Sequence, residues 1–246
     1  MLTRRTFAIH AESWGFSKKG DARQENQDAF LNWPDHMLWA VADGVGSSEY
    51  GGLASRSVIQ ALLGTPFPMS LDHHIVHVKD AIMYTNGMCL AKAGKTGKMA
   101  ASTVVALLVQ GGWAACLWAG DSRCYLFRDG VLYQCTKDHT VRQEKIDSGE
   151  LTAPEAHRMI RGNLVTNAIG VHTAPRLEQV RFSLRSGDRF LLCSDGLFAV
   201  TAPEALLACL TQRTAKAAAE RISETMMGMR QPDDITVVTV FLSQLT

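Results

Sequence analysis

Five aspartates stand at the ends of strand-like runs. Asp43 closes "LWAVAD", Asp121 follows "AACLWAG" and Asp195 follows "RFLLCS", whereas Asp28 precedes "AFLNW" and Asp233 precedes "ITVVTVF". Three lie at carboxyl ends and two at amino ends, and in antiparallel neighbours those opposite ends share one rim of the sheet. A lone strand-end aspartate needs no function, because Asp is disfavoured within strands and common in turns. Five on one rim are different. Converging carboxylates repel unless cations neutralise them, and an all-oxygen donor set suits hard ions such as magnesium or manganese.

Other chemistry-bearing groups point nowhere as specific. His73, His74 and His77 put imidazoles one turn apart on a helix, but without the glutamate of a zinc-protease helix and within a polar stretch, so a solvated face is expected. No Cys/His constellation suggests zinc. "GKTGK" at 94–98 has Cys89 where a phosphate-binding P-loop needs glycine, and it follows a helix rather than a strand.

The elements that must position the aspartates are legible as strand runs at 29–33, 37–42, 102–109, 113–119, 124–128, 131–135, 179–184, 189–193 and 236–242. Asp129-Gly130 marks a tight hairpin turn. Helical periodicity runs over 53–63 and 71–92, and a further helix spans 214–227. Thr152-Ala-Pro-Glu155 and Thr201-Ala-Pro-Glu204 each place a Thr three residues before a Glu, the signature of a capped helix start. Paired helices between strands, a block of strands and then helices fit an α+β layered domain rather than alternating βα units. The polar stretch 140–162 is expected to be an excursion from the core, a mobile flap.

Composition narrows the partners. Lys plus Arg is 25 against 24 for Asp plus Glu, so the net +1 leaves no electrostatic footprint for nucleic acid or an anionic membrane. The apolar stretch 99–120 is broken by Gln110-Gly111-Gly112 and predicts a β-hairpin rather than a membrane span. Six scattered cysteines without a C-x-x-C pair predict buried free thiols in a reducing cytoplasm. With 246 residues, 46% hydrophobic and 20% charged, one domain over 1–246 is expected.

Eight segments then form an ordered series: "RQENQD" at 23–28, "ADGVGSS" at 42–48, "ASTVVALLV" at 101–109, "WAGDSRCYLFRDG" at 118–130, "TKDHT" at 136–140, "NLVTNAIG" at 163–170, "LLCSDGLF" at 191–198 and "PDDITVV" at 232–238. The series resembles that of the PPM family, the metal-dependent serine/threonine protein phosphatases also called type 2C, over about residues 12–242. That resemblance implies a four-layer α-β-β-α sandwich of two antiparallel sheets flanked by helices, with metals in a cleft at one end. Position by position, it implies that Asp43 bridges two ions and that the Gly44 carbonyl ligates the second. Asp195 and Asp233 would complete the first ion's protein ligands, and Asp234 stands beside them where many relatives have Asn. Asp121 with Asp195 would hold a third, weaker ion, Asp28 would bind metal-held water, and Arg23 would grip the substrate phosphate through paired guanidinium donors.

The implied activity is hydrolysis of phosphoserine and phosphothreonine in proteins with Mn2+ or Mg2+, by direct attack of an activated water and without a phosphoenzyme. Short bacterial members of this kind oppose a Ser/Thr kinase, some of them in type VI secretion. Phosphorylated proteins and a cognate kinase or its substrate are the implied partners, and a monomer is expected. Two other functions stay open: a catalytically idle phosphoprotein-binding scaffold, and a small-phosphoester phosphatase of the same chemistry. Two positions depart from some relatives. Val45 stands where some have a histidine that protonates the leaving group, and Gln27 stands where some have a metal-contacting Glu. His139, at the base of the excursion, is expected to be structural.

Overall fold

The computed structural model describes residues 8–46, 49–160, 162 and 164–245. Ser47 and Ser48 of the second motif, Asn163 of the sixth and Arg161 of the excursion lie outside the described residues. Two antiparallel sheets pack face to face. One runs in the order β1 (Ala8–Lys18), β11 (Ile235–Leu245), β10 (Arg189–Cys193), β7 (Arg123–Arg128) and β8 (Val131–Gln134). The other runs β2 (Asp28–Trp33), β3 (Leu38–Val45), β5 (Val104–Gln110), β6 (Trp113–Ala119) and β9 (Glu178–Ser183), with the short β4 (Ala101–Ser102) paired to the end of β3.

Helices α1 (Glu49–Leu63) and α2 (Leu71–Thr96) cover the outer face of the second sheet, and α5 (Asp195–Val200), α6 (Pro203–Leu210) and α7 (Ala215–Thr225) cover that of the first. The layers are therefore α-β-β-α, as expected from the sequence. Between β8 and β9 the excursion forms α3 (Val141–Asp147) and α4 (Ala153–Met159).

Central strands are apolar on both faces because both faces are covered. Along β3, Leu38, Ala40 and Ala42 pack with Val58, Leu62, Val78 and Ile82 of α1 and α2. Trp39 and Val41, pointing the other way, enter the space between the sheets with Leu107, Phe190 and Val238. A period-two pattern buried on both sides reads in the sequence as an unbroken hydrophobic run. The hairpin turns are equally local in origin: Asp129 and Gly130 have φ of 53° and 78°, the left-handed pair that a tight two-residue turn requires. The segment 99–120 is the β5–β6 hairpin, and among the described residues no helix is long and apolar enough to cross a membrane.

Three sequence expectations need correction or addition, and a fourth holds. β1 went unread because it mixes polar and apolar residues; it is an edge strand, paired along its length with β11, with Ile9 and Ala11 on one face and Phe16 on the other. Thr201 does not cap α6. Its N–H donates to the Leu197 carbonyl and closes α5, a helix the capping pattern did not reveal, and Ala202 precedes Pro203 as the start of α6. At Thr152 the signature holds, since the Glu155 carboxylate accepts from both the N–H and the hydroxyl of Thr152. Finally, His74 is fully buried rather than solvated, because it shares the 3–4 stripe of α2 with Val78, Ile82 and Cys89.

Neither ring nitrogen of His74 has a hydrogen-bond partner among the described residues. Burial first, then neighbouring His36 and His77, push its pKa from 6.5 down to about 4. Between those values the unfolded chain binds a proton that the fold refuses, so stability present above pH 6.5 is lost on acidification, by about 2 kcal/mol at pH 5. Urea titrations in chelator at pH 7.5 and pH 5 should therefore show His74→Leu losing about 2 kcal/mol less than wild type. Equal losses in the two proteins would contradict this assignment.

Candidate active site

Register places the first two aspartates. In the β2–β3 ladder Asp28 lies directly opposite Asp43, so the start of one strand and the end of the next meet at one rim. Asp43 is clamped through its backbone: its N–H donates to Thr103 Oγ1 (3.1 Å), and its carbonyl accepts from Thr103 N (2.8 Å) and Ser102 Oγ (3.0 Å). Thr103 Oγ1 in turn meets Ser122 Oγ at 2.7 Å, which ties the Asp43 strand end to the turn carrying Asp121. That turn is held from the other side by buried His139, whose Nδ1 accepts from Gly120 N at 3.1 Å and from Asn167 Nδ2 at 2.8 Å. With Nδ1 accepting, the ring proton sits on Nε2, which faces Glu178 Oε1 at 3.3 Å. His139 thus positions the Gly120–Asp121 turn.

The opposite sheet supplies the rest. Asp195 opens α5 after β10, and Asp233 and Asp234 precede β11. Ser194 joins the two sheets at the rim: its hydroxyl donates to Asp28 Oδ2 at 2.7 Å and accepts from Thr236 N at 2.9 Å. Asp234 is a buried clasp. Its Oδ1 accepts from Gly20 N (2.8 Å) and its Oδ2 from Gln27 N (2.7 Å), closing the loop that carries Arg23. Arg23 reaches Asp233 with two parallel bonds, Nε to Oδ1 and Nη2 to Oδ2, each 2.7 Å.

Gly44 is needed for space rather than for a special φ. A Cβ there would stand 2.4 Å from the backbone carbon of Gly51, so only glycine lets the first turn of α1 press against the end of β3. Val45 continues the strand against Ala101 and carries no titratable group.

The electrostatics follow from crowding. Desolvation first, and then repulsion from Asp28, Asp195, Asp121 and Asp233, hold the Asp43 carboxyl well above the usual range. Burial and then Asp195 do the same to Asp121. Burial pushes Asp28 up to about 7 against the pull of its hydrogen bonds. Asp195 rises to about 6 through burial and Asp233, despite a hydrogen bond with Asp43. The five aspartates named from the sequence therefore act on one another through space, and two guanidiniums pull the other way, Arg23 on Asp195 and Arg123 on Asp121.

The donor set fits a hard cation. It consists of carboxylates and a carbonyl, and Asp28 Oδ1 and Asp195 Oδ1 are buried with no hydrogen-bond partner among the described residues. Among those residues no three His, Cys, Asp or Glu side chains already enclose an ion. Asp233 is turned to Arg23 and Asp28 to Ser194 instead. Sequence reasoning missed Ser194 as the cross-sheet tie and Asp234 as the loop clasp. The only signals were a serine inside "LLCSDGLF" and the doubled acid of "PDDITVV".

The chain is similar to known proteins over most of its length. Residues 20–229 match the family model described as "Protein phosphatase 2C". The serine/threonine protein phosphatase PstP of Mycobacterium tuberculosis is 33% identical over 224 residues, covering 90% of this chain, which spans 43% of that relative's length. PppA, described as a key regulatory component of T6SS in Pseudomonas aeruginosa, superposes with a TM-score of 0.87 at 32% identity, covering 97% of this chain and all of that one. The PstP catalytic domain in complex with two manganese ions gives 0.84 at 30% identity, covering 96% of this chain and all of that one. By its fold and by the match along most of its length, this chain belongs to the protein phosphatase 2C family.

Proposed function

We propose that the chain hydrolyses phosphoserine and phosphothreonine in proteins with the help of divalent cations, Mn2+ or Mg2+. One observation carries this reading: aspartates from both sheets and an arginine meet at a single rim. Asp43, Asp195, Asp233 and the Gly44 carbonyl would hold two ions, and Asp121 with Asp195 a third, weaker one. When bound, the ions supply an activated water and offset the negative charge that builds on the phosphoryl oxygens.

The chain's own groups do the rest. Arg23 offers a planar pair of donors to phosphate oxygens, a geometry already displayed on the Asp233 carboxylate. Asp234 sets where that guanidinium stands by gripping both ends of its loop. Asp28, its Oδ2 fixed by Ser194, presents its other oxygen to orient a water. Val45 has no proton to give, so the leaving alkoxide takes its proton from solvent.

The similarity to PstP and to PppA, with its role in T6SS, supports a phosphoprotein substrate set by a bacterial Ser/Thr kinase. The six free thiols suit a reducing compartment, and we place the protein in the cytoplasm as a monomer.

Hydrolysis of p-nitrophenyl phosphate and of a phosphothreonine peptide should require Mn2+ and fall about a hundredfold or more with chelator or in Asp43→Asn, a loss of several kcal/mol of transition-state stabilisation. Unchanged rates in either case would sink the metal-dependent reading. Asp234→Ala should leave two buried N–H donors unpaired, costing about 2–4 kcal/mol in urea unfolding. Its KM for the phosphopeptide should rise more than its kcat falls, with partial rescue in Asp234→Asn. A variant of wild-type stability and KM would remove Asp234 from the positioning of Arg23.

A further inference from the structure

Next to the rim lies a cleft of about 280 Å³ lined by Glu25, Tyr50, Leu53, Arg56 and Lys92. Its chemistry is lopsided. The Lys92 and Lys98 ammonium groups stand 5.8 and 5.3 Å from the centre of the Tyr50 ring, whose π face attracts cations and gathers two that would otherwise repel. Arg56 folds back over the first turn of α1, where a Cβ on Gly52 would meet its Nη1 at 2.9 Å. None of these three cations forms an ion pair with a described carboxylate. Glu25 is the single acid among the lining residues. In a chain of net charge +1 this positive spot is local, not part of a basic surface.

The cleft adjoins the reacting end of the molecule. Tyr50 directly precedes Gly51, whose backbone is packed against Gly44. Glu25 lies two residues beyond Arg23. A peptide whose phosphorylated residue sits at the aspartate rim would pass its neighbouring residues over this cleft.

We propose that the Tyr50 cleft is a substrate-selecting subsite that takes an anionic side chain, a carboxylate or a second phosphate, beside the phosphoserine or phosphothreonine being hydrolysed. Lys92 and Lys98 supply the charge, Tyr50 holds them in place, Arg56 closes one wall and exposed Leu53 gives an apolar floor. The subsite rests on the phosphoprotein reading above and adds to it a preference for acidic context.

The test uses phosphothreonine peptides identical except at one neighbouring position, occupied by Glu, by a non-hydrolysable phosphonate residue or by Ala, on the amino or the carboxyl side. Wild type with Mn2+ should show kcat/KM about fivefold higher for an anionic neighbour on one side, the worth of one or two exposed ion pairs, shrinking at high salt. Whichever anion gives the larger ratio identifies the source. The ratio should fall to about one in Lys92→Ala/Lys98→Ala and below one in Lys92→Glu/Lys98→Glu, with circular dichroism and melting confirming folded variants. A wild-type ratio near one, or a ratio that charge reversal leaves unchanged, would overturn the subsite while leaving the phosphatase reading intact. Failure of wild type to hydrolyse p-nitrophenyl phosphate as well as every peptide would instead overturn the phosphatase reading and the subsite with it.

Discussion

The structure turns on the confinement of negative charge. Asp28, Asp43, Asp121 and Asp195 are crowded where water is scarce and resist ionisation in consequence, with the part-exposed Asp233 adding its charge beside them. A fold left to maximise its own stability would disperse them, since buried like charges cost more than surface ones return. Their convergence is tolerable because the frame around them is rigid and because cations can convert their repulsion into binding.

Rigidity comes from the sandwich. Two sheets with apolar residues on both faces fix the strand ends, and the antiparallel register of β2 on β3 sets Asp28 against Asp43. Short polar ties then lock the rim: Thr103 to Ser122 within one side, Ser194 to Asp28 across the sheets, and Asp234 to the loop of Arg23. These ties pair hydroxyls, backbone N–H groups and carboxylate oxygens across the rim and so specify one arrangement, while Asp28 Oδ1 stays unpartnered among the described residues. The helices contribute at the edge, where α1 presses Gly51 on Gly44 and brings Tyr50 beside the rim.

Much of this was legible in the residues, and what escaped did so for identifiable reasons. Strand ends, glycine turns and the aspartates beyond them are local signals, so Asp43, Asp121 and Asp195 could be read directly. The roles of Ser194 and Asp234 could not, because their partners are remote in the chain: Gly20 and Asp234 are 214 residues apart. β1 hid because an edge strand buries only part of each face. His74 misled because a polar residue was judged by its neighbours in sequence rather than by its place in the apolar stripe of α2. Thr201 misled because two consecutive helices share one junction, and a cap-like pattern cannot tell which of them it serves.

If charge confinement is the organising constraint, removing one carboxylate should strengthen the protein while removing its response to metal. Urea unfolding of wild type and Asp43→Asn, each in chelator and in saturating Mn2+, measures both at once. In chelator the variant should be as stable as wild type or more so, and Mn2+ should raise the unfolding midpoint of wild type well beyond that of the variant. A variant that is weaker in chelator, or one that Mn2+ stabilises as much as it does wild type, would contradict this account.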